Sequence, residues 1–101
     1  MATLYISEYA YIGGGANGAY IGVAPEPPLA EQALAISGTS NPSAAFNAAT
    51  WFIRVHTDAI CSILVGSGTP VATGVKKRLP ADHTEYFAVT PGHKLAVISN
   101  T

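Results

Sequence analysis

His56, Asp58, Asp82, His83 and His93, all in the second half of the chain, are residues of types that can ligate a metal. His56 and Asp58 are two apart, so on a continuing strand both side chains would leave one face, which could begin a divalent-metal site. Zinc draws on three or four converging ligands. The only thiol, Cys61, lies instead in the apolar run Ile60-Cys61-Ser62-Ile63. Asp82 and His83 read as loop residues and His93 as a turn residue, so no metal is expected. A nucleophilic cysteine wants a helix N-terminus or a neighbouring cation to lower its pKa, and Cys61 has neither nearby in sequence. No Gly-x-Ser-x-Gly elbow occurs, and Gly66-Ser67-Gly68 reads as a turn. Six acids stand in no recognisable glycosidase frame. The run Gly13-Gly14-Gly15-Ala16-Asn17-Gly18 invites comparison with a phosphate loop, but that chemistry needs Gly-Lys-Ser/Thr and a following helix. Here Ala19-Tyr20 follows, so the run reads as a flexible break. No catalytic residue and no cofactor is expected.

Lys76-Lys77-Arg78 gathers three of the five basic residues. It reads as a solvated loop or as a patch that docks on an acidic partner. Three adjacent cations are too few to hold nucleic acid at physiological salt, and a formal net charge of −1 offers no wider basic face.

These 101 residues make one small domain's worth of chain. Charged residues are 11% of the sequence, under half the usual share of about 25%. With 49% hydrophobic residues, such a surface is expected to be covered by other subunits. No apolar run approaches the roughly 18–20 residues that span a bilayer. The opening Met1-Ala2-Thr3-Leu4-Tyr5 lacks the pattern of a secretory signal, so no secretion and no membrane association are expected. One cysteine makes no internal disulfide.

The elements that position these groups are written in period-two alternation. Thr50–His56 places Trp51, Ile53 and Val55 on one face and Phe52, Arg54 and His56 on the other. Residues 60–65, 84–89 and 94–98 read as further strands. Thr90-Pro91-Gly92-His93 reads as a Pro-Gly turn joining the last two as a hairpin. Residues 28–36 and 41–46 fit either a helix or a strand by composition, and the surrounding pattern favours strands, with Leu34 and Ile36 facing inward. Residues 3–12 and 19–24 are short strand candidates, set apart by the glycine run and by Pro25-Glu26-Pro27-Pro28. The expected architecture is all-β: a small antiparallel sandwich, jelly-roll-like, over 25–101, with an extended N-terminal arm over 1–24. Tyr5, Tyr9 and Tyr11 alternate on one strand face of that arm. With Tyr20, Lys76, Lys77 and Arg78, they are the expected interface residues.

Trp51-Phe52-Ile53-Arg54-Val55-His56-Thr57-Asp58-Ala59-Ile60-Cys61-Ser62-Ile63 resembles the strand pair of small virion proteins of tailed bacteriophages. So do Thr69-Pro70-Val71-Ala72-Thr73, Leu79-Pro80-Ala81, Glu85-Tyr86-Phe87-Ala88-Val89 and Gly92-His93-Lys94-Leu95-Ala96-Val97-Ile98. The resemblance covers about residues 28–99 and is to the capsid cement or decoration type. It implies a non-enzymatic jelly-roll protein that forms a homotrimer on the outer capsid surface and clamps the major capsid protein lattice, stabilising the mature head. Such a protein is made in the bacterial host cytoplasm and carried on the virion. The same sandwich also suits another virion component, in the head–tail connection, the tail or a host-adhesion module.

Overall fold

The computed structural model describes residues 2–11, 13–14 and 20–100, with side chains at 2–11 and 24–100. Among the described residues there are ten strands and no helix: β1 (Thr3–Tyr9), β2 (Gly13–Gly14), β3 (Tyr20–Val23), β4 (Ala30–Ala35), β5 (Asn41–Pro42), β6 (Phe52–Thr57), β7 (Cys61–Gly66), β8 (Lys77–Leu79), β9 (His83–Ala88) and β10 (Lys94–Ser99). Two four-stranded antiparallel sheets, ordered β4-β1-β6-β9 and β5-β10-β7-β8, form the sandwich, and β2 pairs with β3 as a separate ribbon. The chain changes sheet between β4 and β5, β5 and β6, β6 and β7, β8 and β9, and β9 and β10. Jelly-roll sandwiches likewise divide eight strands between two sheets.

The alternation read from the sequence sets the two faces of the first sheet. Leu4 and Ile6 of β1, Leu34 of β4, and Ile53 and Val55 of β6 point inward and are buried. They meet Cys61, Ile63, Leu79, Leu95 and Val97 of the second sheet, and Ile36, Phe46 and Val89 complete the core. Burying each such side chain contributes roughly 1.5–3 kcal/mol. The segment 28–36, ambiguous by composition, is a strand because its alternation fits the open edge beside β1. Leu34 and Ile36 do face inward. Of 41–46, only Asn41-Pro42 pairs, at the sheet edge where a residue without an N–H is tolerated.

Two expectations need correction. First, Thr3–Tyr9 is not part of an arm: it pairs with β4 on one side and β6 on the other. Its Leu4 and Ile6 are core residues, so detaching it would open the sandwich. Second, Thr90–His93 does not close a hairpin. The turn itself is real, with His93 N–H donating to the Thr90 carbonyl at 3.1 Å and Gly92 at φ 82°. But β9 pairs with β6 and β10 pairs with β7, so the turn carries the chain from one sheet to the other. The flexible break assigned to 13–18 lies largely outside the described residues. Its first two residues, as β2, pair with β3, and a strand rather than a helix follows it.

Candidate functional site

The outer face of the β4-β1-β6-β9 sheet carries an unusual set of side chains. Register places Glu31, Ser7, Arg54 and Tyr86 in one row across all four strands. The next row holds Tyr9, Phe52 and Ala88. Phe52 stacks on Tyr9 with centroids 5.1 Å apart and tilts against Tyr86 at 6.4 Å. The segment leaving β3 rises over this sheet, and together they enclose a cleft of about 370 Å³ lined by Ser7, Tyr9, Ala24, Glu26, Glu31, Arg54 and Tyr86.

Polar groups dominate the cleft. The Tyr9 hydroxyl donates to Glu26 at 2.7 Å, and the Ser7 hydroxyl donates to Glu31 at 3.3 Å. Burial, then the bond to Glu26 and the charge of its carboxylate, push the Tyr9 phenol up to about 12. Arg54 is half-buried and, among the described residues, its guanidinium makes no hydrogen bond or ion pair.

Tyr86 is also the boundary with a second depression of about 400 Å³, lined by Ala10, Tyr11, Trp51, Phe52, Tyr86, Phe87 and Ala88. This one is apolar. Tyr11, Trp51 and Tyr86 are 63%, 58% and 54% exposed. The Trp51 backbone is fixed from both sides: its N–H donates to the Tyr9 carbonyl at 2.9 Å, and its carbonyl accepts from Val89 N–H at 3.0 Å. The exposed indole therefore leaves a backbone that is hydrogen-bonded on both sides.

The chain matches none of the family models, curated proteins or solved structures compared with it. The site must be read from its own geometry.

The structure scatters the expected interface residues. Tyr5 and Tyr9 share the outer face, as their spacing requires, but only Tyr5 is available there, at 48% exposure. Tyr9 is 3% exposed and its hydroxyl is already bonded to Glu26, so its ring is enclosed within the fold. Tyr11 lies at the exposed apolar depression, while the Tyr20 side chain falls outside the described residues. Lys76, Lys77 and Arg78 are all exposed but do not act as one patch. In β8, Lys77 sits opposite Ile63 and Arg78 opposite Ser62, so they leave opposite faces. The Lys77 ammonium lies 5.4 Å from the centre of the Phe87 ring.

Among the described residues no three His, Cys, Asp or Glu groups converge as metal ligands. Asp58 accepts from Thr3 N–H at 2.7 Å, His56 pairs with Thr84 at 2.8 Å, and His83 pairs with Glu85 at 3.2 Å. Cys61 is fully buried, donates to Thr57 Oγ1 at 3.5 Å, and has its pKa raised by burial. A thiol so placed is a packing group.

Sequence reasoning missed Arg54, Glu26, Glu31 and Tyr86 as a group. The period-two pattern put Arg54 on the outer face, but only the register across four strands brings these side chains together. Trp51 was missed for the opposite reason. Its parity matches that of Ile53 and Val55, yet it stands just before β6 and is exposed.

Proposed function

We propose that this chain is a structural virion protein of a tailed bacteriophage: a capsid cement or decoration protein that binds the major capsid protein lattice as a homotrimer and stabilises the mature head. The observation that carries this reading is the apolar depression at Trp51, Tyr11, Phe87 and Ala88. Exposed aromatic side chains around an apolar depression, on a chain so poor in charge, suit an interface whose centre excludes water. The resemblance of residues 28–99 to small phage virion proteins supplies the partner. A sandwich with such a face acts mechanically: it buries apolar area across a seam between capsid subunits, and a trimer multiplies that grip.

Light scattering during size-exclusion chromatography tests the oligomer, with an expected mass three times 10.4 kDa. Titration onto capsids lacking the protein tests the partner: saturable binding and a raised rupture temperature are expected, and Trp51→Ser weakens both. Full occupancy with an unchanged rupture temperature would overturn the reading. The polar cleft on the same sheet supports a second reading, a host-adhesion or tail component built on this sandwich, and binding to whole bacterial cells rather than capsids would select it.

A further inference from the structure

We propose that the cleft between Tyr86, Arg54, Glu31 and Glu26 is a binding site for a neutral saccharide unit. The proposal stands whether the protein sits on a capsid or a tail.

The chemistry of the lining discriminates between ligand classes. Glu26 and Glu31 offer carboxylate oxygens that accept hydrogen bonds, and Arg54 offers as many as five N–H donors. A phosphate or other anion drawn to Arg54 meets two carboxylates in the same cleft. A lysine or other cation drawn to the carboxylates meets Arg54. A neutral polyol has hydroxyls that donate and accept, and it uses both sets without bringing a charge. Hydrogen bonds with one ionised partner are the stronger kind, so each contact counts.

Two further observations point to a ligand. A half-buried guanidinium has surrendered part of its hydration, and Arg54 has no protein partner among the described residues. The Tyr86 ring, 54% exposed and backed by Phe52, stands at the wall as a platform for the apolar C–H face of a sugar ring. A volume of about 370 Å³ lies within the usual range of small-molecule sites, roughly 300–1,000 Å³. Ser7 and Tyr9 hold Glu31 and Glu26 by hydrogen bonds, so both carboxylates are positioned before any ligand arrives.

The test uses the full chain on a glycan array. Saturation-transfer NMR then follows with maltotriose, the N-acetylglucosamine trimer and a galactose disaccharide, and with inorganic phosphate and a lysine amide as controls. Saturable binding of a neutral sugar is expected, with transfer strongest to its ring C–H protons. Arg54→Gln and Tyr86→Ala should each weaken it about tenfold or more while the near-ultraviolet circular dichroism stays native. Trp51→Ser, in the apolar depression, should leave it within about twofold. Three results would overturn the proposal: no saturable sugar binding on the array or at about 10 mM in solution, sugar binding indifferent to Arg54→Gln in a folded variant, or uptake of phosphate or the lysine amide in place of sugar. Because none of these readouts involves capsids or oligomeric mass, failure here is separate from failure of the capsid reading.

Discussion

Glu8 and Tyr9 are neighbours in β1 that point to opposite faces, and each is buried by a different device. The Glu8 carboxylate is 1% exposed and faces no cation within the described ion pairs. It accepts instead from Asn47 N–H at 2.7 Å, Thr50 Oγ1 at 2.8 Å and Gln32 Nε2 at 3.0 Å. One side chain thus ties β1 to β4 and to the loop before β6. Glu8→Ala strands those donors, so unfolding in urea should show a loss of about 3 kcal/mol or more. Glu8→Gln keeps one acceptor oxygen and should lose less. Tyr9 gives a pH-dependent counterpart. Its folded pKa, pushed up to about 12, exceeds the ordinary value of 10.0 expected when unfolded. The fold therefore favours the neutral phenol. That contribution is complete below pH 10.0 and is lost as pH rises through about 12. An ultraviolet titration should show one tyrosine ionising well above the ordinary range, and Tyr9→Phe should remove that step together with part of the alkaline loss of stability.

At the scale of elements, β1 decides the most. A central strand supplies hydrogen bonds to two neighbours and, here, Leu4 and Ile6 to the core. Removing residues 1–24 should yield a chain without a cooperative thermal transition. A truncated protein that melts normally would contradict the central position of Thr3–Tyr9. The turn between β9 and β10 offers a milder test. Gly92 has φ 82°, and an added Cβ would meet nothing within 4 Å, so Gly92→Ala acts through backbone strain alone. A loss of about 1 kcal/mol in denaturant unfolding is expected. The basic run shows what pairing does to a sequence motif: adjacent Lys77 and Arg78, forced to alternate in β8, leave opposite faces of their sheet.

For the whole molecule, charge is scarce and three exposed aromatic groups gather beside one another, Tyr5 standing apart. Tyr11, Trp51 and Tyr86 border a single depression, and the proposed docking of capsid subunits there would proceed with few ions. Binding measured by titration onto capsids should accordingly change little between low salt and about 0.5 M sodium chloride, whereas contacts carried by Lys76, Lys77 and Arg78 would weaken with screening. Trp51→Ser should weaken that binding at both salt concentrations. Capsid binding that falls with salt in the parent protein would move the interface to the basic residues.

The all-β class was legible in the sequence because strand alternation and Gly/Pro punctuation are local properties. Leu34, Ile36, Ile53 and Val55 face inward as their spacing requires, and Cys61 is buried as its apolar neighbours suggest. Which strands pair is not a local property. The isolation of residues 1–24 between a glycine run and a proline run looked like an arm, yet β1 completes the hydrogen bonding of β4 and β6 from the middle of the sheet. The Pro91-Gly92 turn has the residues of a hairpin, but the partners of β9 and β10 lie in different sheets. The candidate cleft belongs to this second kind of information. Ser7, Glu31, Arg54 and Tyr86 are spread over four strands, and only tertiary register sets them in one row. Local sequence encodes the side on which each residue points; long-range pairing determines what stands beside it.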